Sequence, residues 1–123
     1  AVGEGATARV AGDAAWLSDV YGVRGWLPEQ LETVQDWITD PLTAASPPAS
    51  MRSAVEASGT TRYLLIAAGS VRDEAHAAAF IQRADPERVE VWVVDGARHA
   101  ASIHTAPDGW AERVVGFLSR ALL

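Results

Sequence analysis

Two short apolar runs constrain this chain more than any other feature: Tyr63-Leu-Leu-Ile-Ala-Ala68 and Val89-Glu-Val-Trp-Val-Val94. The first is continuously apolar, as a strand covered on both faces requires. Gly69-Ser70 breaks it, and Asp95-Gly96 ends the second run. Between them Asp73 to Ala84 reads as a helix, with Ala77, Phe80, Ile81 and Ala84 on one side and Asp85-Pro86 as its stop. After a loop over 97–106, a last helix is expected from about Pro107 to Leu122. Trp110, Val114, Phe117, Leu118, Ala121 and Leu122 share one of its faces. Thr105 with Asp108 three residues on resembles a capping box at its start. The order strand, helix, strand, helix is that of a parallel α/β sheet.

Two strands alone do not make such a sheet, because both would be edges with unpaired backbone groups. The strand-like residues around Ala1-Val2 and Arg9-Val10 are the candidates within the chain to extend it. Otherwise another chain or an upstream segment would have to.

The first half of the chain reads differently. Residues 1–15 are rich in Ala and Gly, without a period. Trp16, Tyr21, Trp26 and Trp37 then concentrate aromatic bulk. Pro28 to Thr39 reads as a helix whose stripe is Leu31, Val34, Trp37 and Ile38, ended by Asp40-Pro41. Pro28, Glu29 and Glu32 suit a first helical turn. Ser46-Pro47-Pro48 marks a loop, 48–57 a short helix, and Ser58-Gly59 its end. No internal repeat is present.

Charge and composition narrow the function classes. The net charge is −6 over 123 residues, and all ten basic residues are Arg. An acidic chain without a basic run repels phosphate backbones and anionic membrane surfaces, so neither nucleic acid nor membrane contact is expected. The absence of Cys excludes disulfides, Cys–zinc sites and a thiol nucleophile, but it leaves the compartment open. No stretch reaches the roughly 18 consecutive apolar residues of a membrane span. A start at Ala1 without Met suggests processing or truncation.

In open parallel sheets, chemistry sits in the loops beyond the carboxyl ends of the strands. Two loops qualify here: Gly69-Ser-Val-Arg-Asp73-Glu74 and Asp95-Gly-Ala-Arg-His99. An acid after one strand and a His after the next fall on the same rim. A histidine titrates near neutrality, and a carboxylate fixes its tautomer, so such a pair suits proton transfer to and from a hydroxyl nucleophile.

The order and placement of these turns resemble the α/β-hydrolase family, whose triad runs Ser, acid, His along the chain. Leu64-Leu-Ile-Ala-Ala-Gly69 followed by Asp73 resembles the acid turn, and Val91-Trp-Val-Val-Asp-Gly-Ala-Arg-His99 the histidine turn. Arg113-Val-Val-Gly-Phe-Leu118 is similar to part of the closing helix, and Gly3-Glu-Gly-Ala-Thr7 to the end of the strand after the nucleophile helix. The resemblance covers residues 60–123 well and 1–59 loosely. It implies one partial domain over 1–123: the C-terminal βαβα part of a hydrolase sheet, with 16–57 as a helical cap or lid.

It also implies catalytic roles for Asp73, as the orienting acid, and His99, as general base and then general acid. Glu74 is the rival to Asp73, and capping the helix that starts there is the other use open to either acid. The implied substrate is a small ester-like molecule, bound by the complete enzyme. G-x-S-x-G does not occur in the sequence, and the closest fragment, Gly69-Ser70-Val71, lies in the acid loop. The chain alone is therefore expected not to turn over esters, and to pair with an N-terminal half or a second copy. The resemblance implies no cofactor.

His76 reads as a solvated or partly packed helix residue, and His104 as a loop residue. Asp73, His76, His99 and His104 lack any compact zinc spacing, so no metal is expected. Gly3-Glu-Gly5-Ala-Thr-Ala8 matches G-x-G-x-x-A, but only two residues precede it where a strand is needed. The Trp-rich segment fits three uses: lining an apolar substrate pocket, packing the cap, or meeting a partner. The last use defines the alternative reading, a non-catalytic α/β interaction module.

Overall fold

The computed structural model describes residues 1–6, 11–43 and 48–122. The sheet has three parallel strands in the order of the chain: β1 (Val2–Glu4), β2 (Tyr63–Ala68) and β3 (Val89–Val94). Val2 sits opposite Leu64, and Tyr63 opposite Val89. The apolar runs at 63–68 and 89–94 thus become strands with the bounds their composition predicts. The third strand is the short one near Ala1-Val2. Arg9-Val10, the other strand candidate, lies outside the described residues, as do Thr7 and Ala8 of the glycine motif and Ser46-Pro47.

Successive side chains of β2 point to opposite faces, and both faces are covered. Leu64, Ile66 and Ala68 pack with Val94, Ala97, Val114 and Phe117, so helix α7 (Pro107–Ala121) lies on that side. Leu65 and Ala67 pack with Val55, Ala78, Ile81 and Val89, from helices α4 (Met51–Ala57) and α5 (Arg72–Gln82). The result is three layers, helix on sheet on helix, around β2. The outer edges of β1 and β3 carry no further strand among the described residues.

The remaining helices are α1 (Ala11–Ala14), α2 (Leu17–Tyr21), α3 (Val23–Thr39) and α6 (Ser102–Thr105), with a tight 3₁₀ turn at Asp40–Leu42. Asp13 after β1 ties α1 to α4, its carboxylate accepting the backbone N–H of Met51 at 2.9 Å and of Arg52 at 3.2 Å. Ser50 caps the same helix through Ser53 N–H at 3.0 Å. At Gly25, α3 crosses α2 backbone against backbone: a Cβ there would stand 1.9 Å from the Leu17 carbonyl oxygen.

Two expectations of the sequence are corrected. The helix expected over 28–39 begins at Val23, with Pro28 inside it. Its start is set by Gly22, which turns the chain at φ 58°. The capping box at Thr105 is not formed. Ala106 precedes α7, no side chain caps it, and the Thr105 hydroxyl donates to the Ala101 carbonyl at 3.1 Å. Thr105 closes α6, a helical turn within the expected loop, and so is unable to start the next helix.

Candidate functional site

All three strands deliver groups to one rim, at their carboxyl ends. Gly5 follows β1, Glu74 stands in the first turn of α5 after β2, and His99 follows β3. Backbone hydrogen bonds sew these turns together. Gly5 N–H donates to the Ile66 carbonyl at 3.0 Å, Gly69 N–H to Val94 at 2.8 Å, and Ser70 N–H to Ala97 at 3.0 Å. Gly69 makes that approach feasible, because a Cβ would lie 2.7 Å from the Val94 carbonyl oxygen. Ser70, the nearest sequence fragment to a nucleophile, is exposed and takes its place here through its backbone.

At the centre, Glu74 Oε1 lies 2.5 Å from His99 Nδ1. The other oxygen, Oε2, accepts the backbone N–H of Ala68 at 2.8 Å. Glu74 is fully buried, whereas the His99 side chain is 59% exposed. An ionised carboxylate only accepts hydrogen bonds, so opposite an ionised Glu74 a neutral ring donates from Nδ1. The lone pair then sits on Nε2, which has no hydrogen-bond partner among the described residues. This is the orientation a general base needs. Ala100, directly after the histidine, holds the left-handed backbone at φ 51°, a conformation uncommon outside Gly and Asn.

The structure brings together His99 and Glu74, the rival acid, and sends Asp73 elsewhere. Asp73 Oδ1 accepts the hydroxyl of Tyr21 from α2 at 2.6 Å. This hydrogen bond, foremost, with the Asp73 charge nearby, holds the Tyr21 phenol above its ordinary value of 10.0. The two acids are separated by about 100° of helical rotation. Glu74 shares the buried face of α5 with Ala77, Ala78 and Ile81, at i+3, i+4 and i+7. The expected face was one step off: Phe80 is half-buried, beneath the Arg52 and Arg83 guanidiniums, and Ala78 takes the core position. Phasing the helix on Ala77, Ala78 and Ile81 would have pointed to Glu74.

The other histidines stand apart from this pair. His76 stacks on Trp16 with ring centroids 5.6 Å apart, and His104 is exposed on α6. Among the described residues no group of three His, Cys, Asp or Glu is placed to hold a metal ion. No described helix is long and apolar enough to cross a membrane.

The aromatic segment divides in two. Trp16 is buried against His76 and Tyr21. Trp26 and Trp37 are exposed on α3, beside Leu27, Leu31, Val34 and Ile38. Comparison with protein-family models, with curated proteins and with solved structures returns no match.

Proposed function

We propose that this chain is the acid-and-histidine part of a serine hydrolase of the α/β-hydrolase kind. His99 serves as general base and acid, Glu74 as its orienting carboxylate, and the serine comes from outside these 123 residues. The observation that carries the reading is the Glu74–His99 contact at a rim where three parallel strands end. The edge of β1, which carries no further strand among the described residues, supports it, since further parallel strands would add there. In this reading β1 follows the nucleophile helix, the 16–57 segment is the cap, and the substrate is a small ester-like molecule. Asp73 then acts on the cap, through Tyr21, and does not touch the histidine.

Hydrolysis of p-nitrophenyl esters by the chain in its full coding context tests this. The 123-residue chain is inactive, and the longer protein, carrying a G-x-S-x-G serine, is active. His99→Ala there lowers kcat on the order of 10⁶-fold, and Glu74→Ala on the order of 10⁴-fold. An active longer protein indifferent to His99 would sink the proposal.

One observation favours the alternative, an interaction module: the exposed apolar stripe of α3. In that reading, replacing Leu31 and Trp37 with Ser abolishes partner binding, and His99→Ala has no effect on it.

A further inference from the structure

The rim contains one connection that neither the acid nor the histidine explains. Glu4, the last residue of β1, reaches across to the histidine turn, and its Oε1 accepts the backbone N–H of Ser102 at 2.7 Å. Ser102 is fully buried at the start of α6, three residues beyond His99. The next residue of β1's exit, Gly5, forms the floor under the imidazole. A Cβ at Gly5 would stand 2.8 Å from His99 Cε1 and 3.1 Å from Nδ1, and the residue holds φ 70°. The turn that carries His99 is thus fixed at three points: Ala97 to Ser70 on its near side, Ser102 to Glu4 on its far side, and the ring between Gly5 and Glu74.

We infer that the β1 exit, Glu4 with Gly5, is the positioning element of His99. Glu4 anchors the end of the histidine turn to the sheet. Gly5 leaves the space in which the imidazole lies flat enough for Nδ1 to reach Glu74. The two act through His99 and have no other role in the chemistry. A short loop between a strand and a four-residue helix has little structure of its own, so these external ties decide where its side chain points. The geometry stands by itself; only its catalytic consequence rests on the hydrolase reading above.

The test is made on the ¹⁵N-labelled 123-residue chain and requires no activity. Amide hydrogen exchange at Ser102 and the ¹⁵N shifts of the His99 ring are recorded for the parent, Glu4→Gln, Glu4→Ala and Gly5→Ala. Glu4→Gln keeps an oxygen for Ser102 and leaves both readouts as in the parent. Glu4→Ala speeds Ser102 exchange at least about tenfold and mixes the ring tautomers. Gly5→Ala displaces the ring, and the Nδ1–H signal is lost while Ser102 stays protected. Should Gly5→Ala fail to fold, the Glu4 pair decides alone. Unchanged Ser102 protection and an unchanged ring in folded Glu4→Ala would overturn the inference. The hydrolase reading fails separately, by the ester assay.

Discussion

Helices α7 and α3 both carry a regular apolar stripe, yet only one of them is covered. On α7, Phe117 is 1% exposed and sits in the core against Leu64 and Ile66. On α3, Leu31 is 61% exposed, and Trp37 is 78% exposed. The period of a helix fixes which side is apolar but says nothing of what lies against it. For α7 the answer is in the chain, because β2 is apolar on both faces and needs two layers of cover. For α3 no described element supplies that cover.

The covered and uncovered stripes should differ most in stability. Phe117→Ala should cost about 3–5 kcal/mol in urea unfolding, and Leu31→Ala no more than about 0.5 kcal/mol. A comparable loss at Leu31 would mean that α3 is covered in solution. At the rim, Gly69→Ala should cost about 1–3 kcal/mol, since its Cβ meets the Val94 carbonyl and the strand ends must part. Glu74→Ala should cost a similar amount, about 1–3 kcal/mol, by leaving the buried Ala68 N–H without an acceptor. Asp73→Ala, at an exposed carboxylate, should cost less than Glu74→Ala in the same measurement.

The smallest effect concerns the tie between α2 and α5. Tyr21 is held above its ordinary value by the Asp73 hydrogen bond. The folded state therefore keeps its phenolic proton more tightly than the unfolded chain. The contribution is fully present below pH 10.0, the ordinary value, and is lost as pH rises through the raised one. Phenolate absorbance should show Tyr21 titrating late, and Asp73→Asn should move it down towards the ordinary value.

The sheet-bound half was legible because its strands are apolar on both sides and are bounded by Gly69-Ser70, Asp85-Pro86 and Asp95-Gly96. Strand β1 was faint because three residues, Val2 to Glu4, carry no period of their own; its pairing with Leu64 to Ile66 makes it a strand. Pro28 misled by its preference for a first helical turn, where the turn at Gly22 in fact begins α3. The placing of both loops, and of His99, on one rim of the sheet was legible from the order of elements alone. Choosing between Asp73 and Glu74 required the phase of α5 on the sheet, which the small residues Ala75, Ala77, Ala78 and Ala79 leave ambiguous in sequence. The reach of Glu4 to Ser102 joins positions 98 residues apart and left no local mark.

In the proposed site Glu74, and not Asp73, sets the tautomer of His99. The direct measurement is the ¹⁵N spectrum of the neutral His99 ring in the parent, Glu74→Gln and Asp73→Asn. The ring should carry Nδ1–H in the parent and in Asp73→Asn. In Glu74→Gln the amide oxygen stays on Ala68 N–H, its NH₂ faces Nδ1, and the ring proton moves to Nε2. An Nε2–H ring in the parent, or a switch caused by Asp73→Asn and not by Glu74→Gln, would contradict it.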